Sequence, residues 1–200
     1  MGVDLRHGGN LQAAAARLNC LPSQLLDASA SLVPWSPRWQ RIGLSAWRDY
    51  PDRSQALLRQ HLAVLHGVNS SFLLPGNGAA ELFTWAARDA AEQGLNVLAS
   101  PGFADYKRAL RCWSATSRQQ QLPLLWDEGF PQPFFDPGEG SVLWICNPHN
   151  PTGQLWCRAS LQPLLERYAL VICDEAFLPL VPNGEQQSLI PLVAEHSNLV

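Results

Sequence analysis

Short apolar runs alternate with helix-like segments through most of this 200-residue chain, and this alternation constrains the fold more than any other feature. Such an alternation predicts parallel strands joined by crossover helices, with helices covering both faces of the sheet. We therefore expect an α/β fold of three layers, α/β/α, around a mostly parallel sheet. The predicted strands are Phe72–Leu74, Asn96–Ala99, Ser141–Cys146 and Leu170–Cys173, with another beginning at Leu199. The predicted helices are Ala79–Gln93, Ala104–Cys112 and Ser160–Arg167.

The first quarter of the chain lacks this alternation of strands and helices. An alanine-rich stretch, Leu11–Leu18, predicts a short helix capped by Asn10. Residues 22–51 are broken by proline, serine and tryptophan and are interpreted as an extended arm. From there on, leucines at helical spacing predict a helix that stops at Gly67. We expect an arm or small-domain segment at 1–50 and one incomplete large domain at 51–200.

Composition excludes several classes of protein. A net charge of −3 provides no basic footprint for nucleic acid, and five cysteines without close pairs predict neither a disulfide framework nor a zinc site. The sequence shows no signal-peptide pattern and no apolar stretch that could span a bilayer. These features predict a cytoplasmic protein without a metal site or a membrane partner. The segment 119–140 is rich in proline and glycine and predicts a loop with at most one strand.

Two motifs follow predicted strands and point to a particular chemistry. The first is the loop Asn147–Gly153, which contains two Asn-Pro steps, and the second is Asp174–Phe177. The carboxyl ends of parallel strands are where open α/β sheets bind ligands. An amide from Asn150 and a carboxylate from Asp174 could hold the two polar edges of a pyridine ring, as in pyridoxal phosphate. We expect His149 to be solvated and without a role.

Two further turns follow the same rule but are less specific. The turn Gly76–Glu81 opens a helix, where backbone amides can bind a phosphate, although glycines at such a turn more often reflect plain turn geometry. Phe103 follows the next strand and could stack on a flat ring, or it could fasten the following helix to the core. Asp174 and Glu175 are adjacent on an extended chain and should point in opposite directions, so they do not form an acid–base pair.

Together, these motifs resemble the fold-type I pyridoxal-phosphate enzymes of the aminotransferase class I/II superfamily, from about Tyr50 to the last residue. The resemblance implies a homodimer and assigns a role to seven residues. Backbone amides at the first turn bind the phosphate, an aromatic side chain stacks on the ring, an asparagine binds the phenolic oxygen, an aspartate binds the ring nitrogen, and a tyrosine reaches the partner's phosphate. The backbone amides are those of Gly78, Ala79 and Ala80, and the aromatic side chain is Phe103. The asparagine is Asn150, the aspartate is Asp174 and the tyrosine is Tyr50.

Within the superfamily, the opening His7-Gly8-Gly9-Asn10 resembles the threonine-phosphate decarboxylases of cobalamin biosynthesis. That resemblance implies substrate binding by His7, Gly8 and Asn150. It also implies decarboxylation of L-threonine O-3-phosphate to (R)-1-amino-2-propanol O-2-phosphate. Histidinol-phosphate-type aminotransferases are the alternative, since Ser31 and Val33 replace two asparagines that the family usually carries.

The chain departs from the family pattern at one more point. Its only lysine, Lys107, lies in the helix after Phe103 and cannot stand in for the lysine that binds the cofactor covalently. We therefore expect no catalytic residue within 1–200. The chain is interpreted as the N-terminal part of a longer enzyme or as a truncated, non-catalytic remnant.

Overall fold

The computed structural model describes residues 8–30, 35, 43, 45, 48–123 and 129–200. The chain divides into two compact units, Met1–Asp52 and Arg53–Val200. His7, Ser31 and Val33 lie outside the described residues.

The first unit contains the predicted alanine-rich helix, α1, at Leu11–Leu18. The side chain of Asn10 accepts a hydrogen bond from the Ala13 amide at 3.1 Å, which caps the helix as expected. The helix ends at Asn19 in a left-handed conformation. One 3₁₀ turn, Pro22–Gln24, follows. The rest of the predicted arm lies largely outside the described residues.

The second unit is built on a parallel sheet. Four strands run in the order β2-β1-β3-β4, and every neighbouring pair is parallel. Their bounds are β1 at Asn96–Ser100, β2 at Ser117–Gln121, β3 at Val142–Cys146 and β4 at Leu170–Asp174. Leu199 forms an isolated parallel bridge to Val171, and Val200 exchanges backbone hydrogen bonds with β4. The expectation that a further strand begins here therefore has support.

Helices cover both faces of this sheet. The α-helices of the second unit are α2 at Ala56–His66, α3 at Ala79–Gln93, α4 at Ala104–Cys112 and α5 at Arg158–Leu161. The 3₁₀ helices are Ser70–Phe72, Gln162–Glu166, Leu178–Leu180, Gly184–Gln187 and Ile190–Leu192. Helix α2 ends at Gly67 in a left-handed conformation, as the sequence predicted.

Two apolar clusters, one on each side of the sheet, form the core. Trp144 and Ile172 face α3 and α4, where they meet Phe83 and Leu110. Side chains one residue along each strand point the other way, because successive residues of a strand alternate between the two faces. Ile145 accordingly joins the cluster under α5 and the following 3₁₀ helix. The predicted three-layer α/β/α architecture is confirmed.

Two predicted elements differ from the structure. Phe72–Leu74 is not a strand; a 3₁₀ turn ends at Phe72, and both end residues are half or more exposed rather than paired within a sheet. The helix predicted at Ser160–Arg167 is α-helical only to Leu161 and continues as a 3₁₀ helix. Pro163 explains this change, because it lacks the amide that an α-helix needs at that position.

Strand β2 begins two residues before the segment that was interpreted as a loop. Its sequence, Ser-Arg-Gln-Gln-Gln, has no apolar residue. It lies at the edge of the sheet, where polar side chains are tolerated, so periodicity in hydrophobicity could not reveal it.

Candidate cofactor site

The turns after β1, β3 and β4 meet at the carboxyl-terminal edge of the sheet. Cys146 and Asp174 are in register as the last pair of β3 and β4. The amide of Asn147 continues this pairing and donates to the carbonyl oxygen of Asp174 at 2.8 Å. The structure therefore brings together the two motifs that the sequence singled out, at the edge where parallel sheets bind ligands.

The loop Asn147–Gly153 is held from within by its first residue. The Asn147 side chain is completely buried. Its Oδ1 accepts a hydrogen bond from the Trp156 amide at 2.8 Å, and its Nδ2 donates to the Trp156 carbonyl at 3.2 Å. The amide of Gly153 also donates to the carbonyl of His149 at 2.7 Å. These bonds fix the loop on both sides of Asn150, which is half-buried.

His149 is not solvated, and that expectation was wrong. Its side chain is only 3% exposed, and its Nδ1 lies 2.8 Å from Oγ1 of Thr152. The ring centroid lies 6.0 Å from that of Trp156. Burial lowers the pKa of His149, and the backbone of Pro101, in the turn after β1, partly opposes that shift. This histidine is therefore packed inside the protein beside Trp156 and is not in solvent.

Asp174 has a hydrogen-bond partner on each carboxylate oxygen. Oδ2 accepts from the hydroxyl of Tyr106 at 2.6 Å, and Oδ1 accepts from the amide of Ala176 at 3.0 Å. Glu175 points away, as expected, and accepts from Ser188 and from the Leu189 amide, both at 2.6 Å. Burial raises the pKa of Glu175 despite these bonds. The two acids therefore have separate surroundings and do not form a pair.

Cys146 lies between the Asn-Pro loop and Asp174. Its Sγ is 3.1 Å from the Pro148 carbonyl and 4.0 Å from Oδ2 of Asp174. Burial, and then the charge of Asp174, raise the pKa of this thiol to about 11, while the backbone of Asn150 acts in the opposite direction. One small side chain thus lies close to both the Asn-Pro loop and Asp174.

Phe103 lies at the N-cap position of α4 and is half-buried. Its ring meets those of Phe83 and Tyr106 edge to face, with centroids 6.2 and 5.6 Å apart. The side chain therefore packs on the core, which agrees with the interpretation that Phe103 fastens the following helix to it. It also keeps part of its surface exposed, as stacking on a ligand would require.

Helix α3 presents free backbone amides at its N-terminus. Gly78 is the N-cap residue, with φ of +87°, and it provides no side-chain cap. The first amides of an α-helix have no partner within the helix. Ala79 and Ala80, both exposed, carry the first two of them in this 15-residue helix. A phosphate is a suitable partner for such amides, because the helix dipole favours negative charge there.

The remaining predicted residues lie elsewhere. Gly8 and Tyr50 belong to the first unit, and Tyr50 is fully exposed. Lys107 lines a separate cleft with Arg111 and Gln119 of β2, whereas the neighbouring Tyr106 points toward Asp174. The only lysine of the chain therefore lines a cleft that does not include Asp174.

Sequence reasoning missed the roles of two residues of this site. Asn147 holds the loop by hydrogen bonds to Trp156, and Tyr106 donates a hydrogen bond to Asp174. Tyr106 follows Phe103 by three residues on α4, so both rings lie on the same face of the helix. That spacing was the available signal. Among the described residues, no group of acidic, histidine or cysteine side chains could hold a metal ion, and no helix is long and apolar enough to cross a membrane.

The groups described above are of the kinds that can hold pyridoxal phosphate: a carboxylate, an asparagine amide, an aromatic face and backbone amides at a helix N-terminus. The fold and site thus define a pyridoxal-phosphate-dependent transferase-type protein. A family model described as aminotransferase class I and II matches residues 44–200, and the chain belongs to that family. Enzymes of this family depend on pyridoxal phosphate.

Individual relatives agree with this assignment. Threonine-phosphate decarboxylase of Salmonella typhimurium is 33% identical over 96% of this chain and 55% of its own length. A histidinol-phosphate aminotransferase of a Geobacillus species is 31% identical over 76% of this chain and 42% of its own. The chain spans about half the length of these relatives.

Solved structures agree as well. L-threonine-O-3-phosphate decarboxylase from Porphyromonas gingivalis matches with a TM-score of 0.60 and 26% identity over 78% of this chain and 48% of that chain. Histidinol-phosphate aminotransferase from Sinorhizobium meliloti, solved with pyridoxal-5'-phosphate, matches with a TM-score of 0.61 over 78% of this chain and 43% of that chain. At 20% identity, the second likeness shows the fold alone.

Proposed function

We propose that this chain forms the cofactor-binding part of an enzyme that decarboxylates L-threonine O-3-phosphate to (R)-1-amino-2-propanol O-2-phosphate, in cobalamin biosynthesis. One observation carries the choice of reaction. The decarboxylase of Salmonella typhimurium matches 96% of the chain, whereas the histidinol-phosphate aminotransferase from Geobacillus matches 76%. Only 4% of the chain lies outside the match to the decarboxylase, so that match includes most of the N-terminal segment.

In this proposal, residues of the second unit hold the cofactor. The amides of Gly78, Ala79 and Ala80 bind its phosphate, and Phe103 stacks on its ring. Asn150 donates to the phenolic oxygen and Asp174 holds a proton at the ring nitrogen. When bound, the cofactor supplies an electron sink for the pair released as the carboxylate leaves the substrate. A carboxylate at the ring nitrogen strengthens that sink because it stabilises the protonated ring.

We assign substrate binding to His7 and Gly8, together with Asn150. Gly8 has no room for a side chain, because an added Cβ would lie 1.6 Å from the carbonyl oxygen of Ser29. The neighbouring amide of Gly9 donates to Oγ of Ser29 at 2.9 Å. Gly8 and Gly9 are thus packed closely on the segment around Ser29, and this packing limits the positions that their backbone can take.

The proposed enzyme is a cytoplasmic homodimer, with an arm at 1–50 and a large domain from 51. Tyr50 would reach the phosphate at the partner's site, which its full exposure permits. The cofactor-binding lysine would come from outside residues 1–200, since Lys107 lines a different cleft.

Two experiments test this proposal. First, the 200-residue chain is mixed with pyridoxal phosphate, reduced with borohydride and digested. We expect reversible binding and no site-specific covalent label, whereas a stoichiometric label at Lys107 would contradict the assignment of the site.

Second, a protein containing this chain together with a lysine-bearing remainder is assayed on L-threonine O-3-phosphate. We expect release of carbon dioxide without any keto acid. Transfer of the amino group from histidinol phosphate to 2-oxoglutarate, without carbon dioxide release, would instead establish the aminotransferase alternative. Ser31 and Val33 stand where the family usually has asparagine, and this difference is the reason for testing the aminotransferase alternative.

A further inference from the structure

A buried tyrosine outside the predicted site contacts the residue on which the proposed cofactor chemistry depends. The hydroxyl of Tyr106 donates to Oδ2 of Asp174 at 2.6 Å. This distance is typical of a hydrogen bond to an ionised carboxylate, which is stronger than one between neutral groups. Neither the family match nor the motifs assigned Tyr106 a role.

The ring of Tyr106 cannot turn away from Asp174. The side chain is 5% exposed, and three aromatic rings surround it. Phe83 and Phe103 meet it edge to face, with centroids at 5.0 and 5.6 Å, and Trp144 packs at 5.3 Å. Trp144 is itself fixed by a hydrogen bond from its Nε1 to Oδ1 of the buried Asn96 at 2.9 Å. The hydroxyl is therefore held in place by packing.

The hydroxyl also stays protonated at neutral pH. Burial raises the pKa of Tyr106, and the neighbouring Cys146 and Asp174 raise it further. A phenol in this state carries the O–H that it donates to the Asp174 carboxylate. With Ala176 bonded to Oδ1, the carboxylate plane is fixed at both oxygens.

We propose that Tyr106 is a positioning residue that orients the Asp174 carboxylate toward the ring nitrogen of the cofactor and so keeps that nitrogen protonated. The inference rests on the proposed cofactor site. Tyr106 would also couple two roles, because the same ring packs on Phe103, the proposed stacking residue. A tilt of Tyr106 would displace the acid and the stacking surface together.

The chain offers a matched control for the loss of such a bond. Tyr168 is likewise buried, at 2% exposed. Its hydroxyl lies 2.9 Å from Oδ1 of Asp136, in the cluster on the opposite face of the sheet. Replacing either tyrosine with phenylalanine removes one hydroxyl next to a carboxylate and preserves the ring. Only Tyr106 belongs to the candidate site.

The test uses the 200-residue chain with pyridoxamine 5'-phosphate, which binds without a lysine, labelled with ¹⁵N in its ring. We expect Tyr106→Phe to weaken binding about tenfold and to lower the pKa of the bound ring nitrogen by about one unit, read from its ¹⁵N shift. Tyr168→Phe should match the unmodified chain in both readouts, and Asp174→Asn should leave the ring nitrogen unprotonated at neutral pH.

A second measurement needs no substitution. The ¹³Cζ resonance of Tyr106 should shift when pyridoxamine phosphate binds, and that of Tyr168 should not. If Asp174→Asn weakens binding while Tyr106→Phe behaves like the unmodified chain and the Tyr106 resonance does not move, this inference is wrong and the cofactor site stands. If the ligand does not bind at all, both proposals are overturned.

Discussion

At the scale of single residues, Asn147 has the strongest structural role of any polar side chain in the site. It is completely buried and satisfies both backbone groups of Trp156. Asn147→Ala would leave two buried backbone groups without partners, which costs about 2–4 kcal/mol of unfolding free energy in total. Urea denaturation measures this loss.

Asn69→Ala is the control for that prediction. Asn69 accepts a hydrogen bond from the Ser71 amide at 2.9 Å in an exposed turn, so its loss should cost about 1 kcal/mol or less. Equal losses at the two positions would show that burial of Asn147 adds nothing.

His149 predicts how stability depends on pH. Burial lowers the pKa of this histidine in the folded chain, so the unfolded chain binds the proton more readily. Stability should therefore fall as the pH drops below about 6.5, the ordinary pKa of histidine, and the loss should be complete below the folded pKa. His149→Gln should remove this contribution.

The measurement is the unfolding free energy of both chains at pH 7.5 and 5.5. Glu175, whose raised pKa acts in the opposite direction, is present in both chains and cancels in the comparison. His61→Gln, at an exposed position on α2, should retain the pH dependence of the unmodified chain. A His149→Gln chain with an unchanged pH dependence would contradict the prediction.

Residue-level prediction from the sequence succeeded where a motif fixed the backbone. Asp174 ends β4 and Asn150 lies in the turn after β3, and because these parallel strands are neighbours their carboxyl ends lie at one edge. It failed for His149 and Tyr106, because a histidine in a polar loop and a tyrosine on a helix reveal their burial only when other elements pack on them. The roles of Asn150, Asp174, Phe103 and the α3 amides remain proposals.

At the scale of elements, α2 and α3 differ in how firmly packing holds them. Helix α3 buries Phe83, Ala87 and Ala90, whereas every side chain of α2 is exposed or half-buried. Because most helical stability comes from tertiary packing, we expect α2 to open far more easily.

Hydrogen exchange tests this expectation within one sample. Amides in the middle of α2 should exchange at least about 100-fold faster, relative to their intrinsic rates, than those in the middle of α3. The central strand β3, which is buried along its whole length, supplies the slow reference. Similar protection of α2 and α3 would contradict the prediction and would mean that α2 is held by contacts other than burial.

Elements with a clear apolar period were predictable, and those set by context were not. Helices α3 and α4 begin and end at the predicted residues. Strand β2 is polar and depends on its place at the edge of the sheet. The segment Phe72–Leu74 has the composition of a strand but is not paired as one, since pairing depends on a neighbour and not on local propensity.

At the scale of the whole molecule, the second unit carries several exposed large apolar side chains close together in the sequence, and large exposed apolar patches mark sites of association. Large apolar residues are exposed on α2 and in the segment that follows it. They include Leu57, Val64, Leu65, Phe72 and Leu74, with exposed fractions from 50% to 85%. We expect the 200-residue chain to self-associate through this surface.

Sedimentation velocity over a range of concentrations measures this association. The double substitution Leu65→Glu with Leu74→Glu should shift the chain toward the monomer, because charged side chains oppose burial at an interface. Leu180→Glu is the control, since Leu180 is 75% exposed in a different part of the unit. Equal shifts toward the monomer would show that added charge raises solubility in general and that no defined surface mediates the association.

The bond between Asn147 and Trp156 also bears on how quickly a ligand could be captured. A loop that is already closed needs no ordering step after encounter, so little conformational entropy is lost on binding. The observed association rate of pyridoxamine phosphate in stopped-flow mixing should then rise linearly with ligand concentration in a single phase. A rate that levels off at high concentration would reveal a slow rearrangement and would mean that the binding surface is assembled only on arrival of the ligand.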